Sequence, residues 1–330
     1  MKSTSKTLTA ASLLLLLSAC RIAALAQTSS STQLVTVPLR HHDTPSLIIQ
    51  VTINGTGPYD LVVDTGTATT ILDDSLFHQL HLPPVGSMLV DSPSAEKRQS
   101  WGYASEVAVG TAQLANVEVV SAPNMRDLVP GHKIWGILGE NFLDHFDLLI
   151  DNHRDTLTLD PAGRLADNLT GDQVQLSTST VFKGERMIHR PTVTLSLSSL
   201  GSEPVRVLLD SGTSILLLYT DQGLQSKLPK LATDPIRIQT VTGVVDCKQW
   251  SQNAIFGKTL LKRVPTVACE KATAADHDTA GVLPTALFKS IFISHRNSYI
   301  VLNPTPGQQT PVVPVATTAS IARSEAFGVR

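Results

Sequence analysis

The 330-residue sequence predicts a mostly β protein of two similar, β-barrel-like lobes with a few short helices and a cleft between them. Composition is the first observation behind this. Aromatic residues are only 5% of the chain, Gly (20) and Pro (19) are frequent, and Ser, Thr, Val and Leu abound, a mixture that favours strands and turns over a helical bundle. The second observation is an internal repeat: Pro45 and Pro191, Gly55 and Gly201, Pro58 and Pro204, and Asp64 and Asp210 are each separated by 146 residues. A constant offset across four landmarks marks a duplicated unit, and two such units side by side bring their equivalent turns together near a pseudo-twofold axis. The third is that Asp64 and Asp210 each follow a short apolar run and each open an Asp-Thr/Ser-Gly turn. At 42% hydrophobic residues the chain can bury a large core. Its net charge of -2, with no basic stretch to neutralise a run of phosphates, argues against a nucleic-acid partner.

From the N-terminus, residues 1–20 read as an export signal. Lys2 and Lys6 precede an apolar run from Leu8 to Leu17 that is too short to span a bilayer but suits a signal's hydrophobic region. Leu17-Ser18-Ala19-Cys20 resembles the bacterial lipobox, which implies cleavage before Cys20 and lipidation of that cysteine. Ala24 and Ala26 offer a second site, where cleavage after Ala26 leaves a soluble secreted chain. The lipobox is favoured because the second reading carries Arg21 inside the apolar region. Both readings put the mature protein outside the cytoplasm, in the envelope or periplasm or secreted, with membrane contact only through the N-terminal anchor.

The first lobe is expected over residues 33–161. Ser46 to Ile53 alternates apolar and polar residues, and Leu61 to Val63 reads as a buried strand running into Asp64. A short helix is expected over Asp73 to Leu80, and a hairpin of Trp101 to Val109 with Leu114 to Val120 turns at Gly110. Gly136-Ile137-Leu138, a helix over Asn141 to Phe146 and a strand-like stretch from Ile150 to Pro161 complete the unit. Residues 162–180, rich in Asp, Thr, Ser and Gly, read as a connector. The second lobe, 181–304, repeats the order. Val193 to Leu197 alternates, Val207 to Leu209 enters Asp210, and Trp250 to Phe256 with Thr259 to Val267 turn at Gly257. Gly281-Val282-Leu283, a helix over Thr285 to Ile291 and a closing stretch from Ile293 to Pro304 follow. Residues 305–330 are rich in Pro and Thr without periodicity and are expected to be a disordered tail. Cys247 and Cys269 fit either a disulfide in an oxidising compartment or two buried thiols.

Leu61 to Leu72 (LVVDTGTATTIL) and Val207 to Leu218 (VLLDSGTSILLL) each resemble the catalytic strand-turn signature of the aspartic proteases. Trp135 to Asp151 (WGILGENFLDHFDLLID) looks like the apolar-Gly segment and following helix of the retropepsin-like group, bacterial relatives included. The resemblance spans both lobes and implies a bilobal aspartic-protease-like fold on one chain, a monomer that needs no metal or cofactor. It implies an endopeptidase acting on a peptide or protein substrate, with Asp64 and Asp210 as the catalytic pair. By the same resemblance, Thr65 and Ser211 bond across the lobe interface, and Thr67 and Thr213 bond the outer carboxylate oxygens.

The chemistry explains these residues independently. Two buried carboxylates brought close cannot both be charged, so the pair shares one proton and supplies one acid and one base. Gly66 and Gly212 allow the turns to approach each other. The bland alternative for either Asp is an Asx turn whose carboxylate bonds its own backbone, which the duplicated context disfavours. Hairpins in both lobes are candidate lids, with Trp101 and Tyr103 placed to cap a substrate side chain unless they are core residues. Pro284 stands where the first lobe has Gly139, a departure that leaves room for a second reading. In it, the chain is a catalytically silent module of the cell envelope that holds a peptide or protein in the same cleft.

Other constellations are weaker. His78 and His81 lack the Glu of a zinc-protease helix, while His41-His42 and Asp276-His277-Asp278 read as solvated loop residues, so no metal site is expected. No G-x-S-x-G elbow is present.

Overall fold

Alternation of apolar side chains across three sheets builds the molecule. A computed structural model describes residues 33–40, 46–91, 96–183, 186–201, 203–220, 234–240, 243–270 and 279–306, all within the unit Ser31–Arg330. The signal segment with Cys20 and Ala26, the tail from 307, His41-His42 and Asp276-His277-Asp278 lie outside the described residues.

The first lobe runs β1 (Val35–Pro38), β2 (Ile48–Ile53), β3 (Thr56–Val63), β4 (Thr70–Asp73), α1 (Asp74–Gln79), β5 (Gly86–Asp91), β6 (Glu96–Val109), β7 (Ala112–Ala122), β8 (Gly136–Leu138), α2 (Glu140–Leu143), β9 (Asp147–Asp151) and β10 (Thr156–Asp160). After it come β11 (Leu169–Gln175), β12 (Ser177–Lys183), β13 (Arg186–Leu197), β14 (Pro204–Asp210), β15 (Leu216–Tyr219), β16 (Asp234–Thr240), β17 (Gly243–Phe256), β18 (Thr259–Cys269), β19 (Gly281–Pro284), β20 (Ser290–Ser294) and β21 (Tyr299–Pro306). No helix among the described residues is long and apolar enough to cross a membrane.

The duplication is written in the strand order. The first lobe's sheet is β2-β3-β8-β4-β7-β6-β5, and the second reads β13-β14-β19-β15-β18-β17-β16, with β12 added at its edge. Each sheet curls on itself through one further pairing, β2 with β6 and β13 with β17. Each also places a parallel pair at its centre, β3 beside β8 and β14 beside β19. Leu61 and Val63 point into the main core while Val62 points to a second cluster with Ile48, Ile71 and Ile137. Val207, Leu209 and Leu208 divide in the same way. That is why these runs are apolar without a break: the strands are covered on both faces. Gly136 and Gly281 follow from the crowding there, since a Cβ would sit 2.1 Å from the Ile71 carbonyl oxygen and 2.0 Å from that of Leu217.

A third sheet, β1-β10-β9-β20-β21-β11, joins the lobes. Its midline is the antiparallel pairing of β9 with β20, Ile150 opposite Ile291, so each half of the sheet mirrors the other. The segment read as a connector is therefore partly sheet, with β11 occupying the place that β1 holds in the other half. Its exposed, polar edge position hides that role from periodicity. The closing stretches are hairpins, β9-β10 and β20-β21, and the last strand extends to Pro306, two residues into the expected tail. The helix expected over Thr285 to Ile291 is a single 3-10 turn, Thr285–Leu287, because Ser290 onward is drawn into β20. Cys247 and Cys269 lie opposite each other on β17 and β18 and are joined by a disulfide, which decides between the two readings of that pair.

Candidate active site

Asp64 follows β3 and Asp210 closes β14, so the two buried parallel pairs deliver both carboxylates to the same place between the lobes. The Asp64 amide is held by the Leu138 carbonyl at 3.0 Å. Each turn then wraps its carboxylate: Gly66 N and Thr67 N donate to Asp64 Oδ1 at 2.8 and 3.1 Å, and Gly212 N and Thr213 N donate to Asp210 Oδ1 at 2.6 and 3.2 Å. These are Asx turns, so the bland local geometry and the close pairing coexist.

Across the interface the hydroxyls of Thr65 and Ser211, both buried, interlock reciprocally. Thr65 Oγ1 donates to the Leu209 carbonyl at 2.8 Å and accepts from Ser211 N at 3.1 Å. Ser211 Oγ donates to the Val63 carbonyl at 2.8 Å and accepts from Thr65 N at 3.1 Å. Each hydroxyl both donates and accepts, so this buried polar junction is satisfied without water. The glycines beside it face the opposite carboxyl: a Cβ on Gly66 would lie 2.5 Å from Asp210 Oδ2, and one on Gly212 would lie 2.6 Å from Asp64 Cγ.

The two carboxyls lie close enough for the charge of one to act on the other, each against the glycine of the opposite turn. Although Asp210 keeps some open surface, its surroundings remove most of the water from the carboxyl. Burial pushes the Asp210 carboxyl well above the usual carboxylate range, and the charge of Asp64 pushes it further in the same direction. One proton is therefore retained by the pair, with Asp210 the member driven to hold it.

The halves differ in their outer support. Thr67 Oγ1 donates to Asp64 Oδ2 at 2.6 Å, as the resemblance implied. Thr213 does not do this for Asp210: its hydroxyl closes a short turn on its own chain, meeting the Ile215 carbonyl and amide at 3.4 Å. The cause lies in the residue underneath. Gly139 lets the loop after Asp64 settle so closely that a Cβ would be 2.8 Å from the Thr67 carbonyl oxygen. Glu140 N and Asn141 N then fasten the loop by donating to Thr67 O at 2.8 Å and Ala68 O at 3.1 Å. Pro284, which pairs with Asp210 on the parallel ladder, puts a ring at that level in the second lobe. Asn141 adds a further tie that sequence reading passed over, accepting from both Thr70 N and Thr70 Oγ1 at 2.8 Å and donating to the Glu118 carbonyl.

The hairpin ends at Gly110 and Gly257 are not lids. A Cβ on Gly110 would be 2.9 Å from Val35 Cγ1, and one on Gly257 would be 2.6 Å from Val174 Cγ2, so both turns abut the joining sheet. The opposite ends of the same long strands pair with further strands, β6 with β5 and β17 with β16. Trp101 lies opposite Gly86 at the end of the β5 pairing and Tyr103 two residues beyond it, their rings edge to face at 5.4 Å. Trp101 packs against the second core cluster, while Tyr103 is 39% exposed. His78 and His81 are not gathered with other ligands, and no group of three or more metal-ligating side chains occurs among the described residues.

Residues 49–142 match a family described as Aspartyl protease, a segment that contains the Asp64 turn, the Gly136-Ile137-Leu138 strand and most of α2. Among solved structures, a retropepsin-like aspartic protease from Rickettsia conorii is 21% identical, covering 39% of this chain and 93% of its own at a TM-score of 0.30. The aspartic proteinase from Irpex lacteus is 12% identical, covering 85% of this chain and 99% of its own at a TM-score of 0.47. No curated protein matches the sequence at a significant level.

Proposed function

We propose that this chain is an exported aspartic endopeptidase that hydrolyses peptide bonds with water activated by Asp64 and Asp210. The observation that carries the reading is the reciprocal Thr65–Ser211 junction, which fixes the two carboxyls beside each other, each against the other turn's glycine. A binding module has no need of such a pair, because holding two mutually repelling acids together costs stability that only proton transfer uses. Asp64, ionised, takes a proton from the attacking water, while Asp210, protonated, donates to the carbonyl oxygen as it gains negative charge. The proton redistributes between the two as the leaving amine departs, so neither role is permanent.

Both halves of the site lie on one chain, which supports a monomer as the active form. The disulfide between Cys247 and Cys269 supports export to an oxidising compartment. Anchoring through lipidated Cys20 is read by mass spectrometry of the mature N-terminus, and a free chain beginning at Gln27 rules it out for the host tested.

The function is tested by digestion of an unstructured protein from acid to neutral pH, with and without a pepstatin-type inhibitor. Asp64→Asn and Asp210→Asn should each reduce hydrolysis to background while the fold persists, and the double variant should be no worse than either single one. Near wild-type turnover in either folded single variant overturns the dyad and returns the cleft to the binding reading.

A further inference from the structure

A buried acid and base meet behind the Asp64 turn, one from each lobe. Glu140 opens α2 and is 2% exposed; His295 follows β20 in the second lobe and is 10% exposed. His295 Nε2 lies 3.2 Å from Glu140 Oε2, and its Nδ1 lies 2.7 Å from the Phe146 carbonyl oxygen. The imidazole of one lobe therefore grips the other lobe's helix at both ends, at its first residue and just beyond its last. The backbone of that first residue, Glu140 N, is what holds the Thr67 carbonyl at 2.8 Å, and Thr67 in turn donates to both oxygens of Asp64.

We propose that Glu140 and His295 are positioning residues for the catalytic pair, a cross-lobe latch that sets the Asp64 turn against Asp210. This rests on the protease reading above only for its effect on turnover. The latch exists in two protonation forms of equal net charge, imidazolium with carboxylate or imidazole with carboxylic acid. Because the Phe146 carbonyl only accepts, Nδ1 carries a proton in both, and one further proton is shared between Nε2 and Oε2. Loss of that proton leaves Nε2 and a carboxylate facing each other as two acceptors, which releases the grip.

The groups around the pair set where this occurs. Glu140 is faced by Asp144 and Asp64 as well as His295, and His295 is faced by Glu140, Asp144 and Asp147. Burial opposes the charge on His295, but the Glu140 carboxylate, its hydrogen bond and the Phe146 carbonyl outweigh it and lift the imidazolium to about 9. Burial also raises the Glu140 carboxyl, by more than the attraction of His295 lowers it. The latch is thus closed through neutral pH and opens as pH rises through about 9.

In wild type, NMR titration should show the His295 ring changing near that pH, with the Thr67 and Glu140 amides moving at the same midpoint. If those amides are flat while His295 titrates, the latch does not reach the Asp64 turn and the proposal falls, without any variant being made. Glu140→Gln and His295→Gln should each lower kcat at neutral pH about tenfold with KM within about twofold, as expected for misplaced catalytic groups and intact substrate binding. The movement of the Thr67 amide near pH 9 should vanish in both. The double variant should be no slower than the slower single one. Wild-type kcat profiles in both folded variants overturn the proposal. If wild type shows no Asp64-dependent hydrolysis, the protease reading fails instead, and the titration of His295, Thr67 and Glu140 still decides whether the latch exists.

Discussion

One hydroxyl distinguishes the two halves of the carboxyl pair. Thr67 donates to Asp64 at 2.6 Å, whereas Thr213 turns to Ile215. A hydrogen bond to a charged group contributes about 1.5–3 kcal/mol, so Thr67→Val should lower kcat roughly tenfold or more. Thr213→Val should leave kcat within about threefold, since no bond to Asp210 is lost. Steady-state kinetics on the two variants checks this, and equal losses would show that the second hydroxyl reaches its carboxylate during turnover. Asp64, Asp210 and the glycines beside them were legible in the sequence because the motif occurs twice at the repeat's own spacing. The idle Thr213 was not, because its rotamer depends on what packs beneath it. Pro284 flagged that difference without showing its consequence. Glu140 and His295 were hidden for a similar reason: each stands among other polar residues at the end of an apolar run, and only the joining of the lobes brings them together.

At the scale of strands and turns, close approach of backbone decides which positions tolerate change. A methyl at Gly281 would fall 2.0 Å from the Leu217 carbonyl oxygen, and one at Gly136 would fall 2.1 Å from that of Ile71. Neither neighbour is a flexible side chain that can swing away. Gly136→Ala and Gly281→Ala should each destabilise the fold by about 1–3 kcal/mol or more, as overpacking does, read as a fall in the denaturant midpoint. The disulfide contributes in the other direction. Closing the loop between Cys247 and Cys269, 22 positions apart, stabilises by about 3 kcal/mol on the chain-entropy account, which Cys247→Ser with Cys269→Ser should remove. An unchanged midpoint in that double variant would mean that the reduced chain is already held by the β17-β18 ladder. Sequence periodicity found the central strands, since they are apolar on both faces. It missed β11, whose mostly polar residues at the sheet edge carry little apolar pattern. It also could not show that the Gly110 and Gly257 turns abut the joining sheet, because a Gly turn looks the same in sequence whether it projects or abuts a sheet.

For the whole molecule, raised titrations of Glu140, Asp210 and His295 act together where the lobes meet. A group that binds its proton more tightly in the folded state stabilises the fold fully below its unfolded pKa and loses that stability as pH rises through its folded value. His295 moves from 6.5 in the unfolded chain to about 9, Glu140 moves up from 4.5, and Asp210 moves well up from 3.8. All three have the same sign, so the lobes are held together best on the acid side and less well toward alkali. For His295 alone the shift corresponds to about 3 kcal/mol, fully present below pH 6.5 and lost as pH rises through about 9. The loss falls on the junction of the lobes, since the imidazole belongs to one and its two partners to the other. Calorimetric Tm should therefore decline between about pH 6.5 and 9.5 in wild type, and the decline should flatten in His295→Gln, which has no imidazole to titrate. Asp210→Asn should flatten the fall at lower pH, above the ordinary carboxylate range, while leaving the alkaline fall in place. A wild-type Tm that is constant across the alkaline range would show that His295 holds its proton no more tightly folded than unfolded, and that the joining sheet alone keeps the two lobes in register.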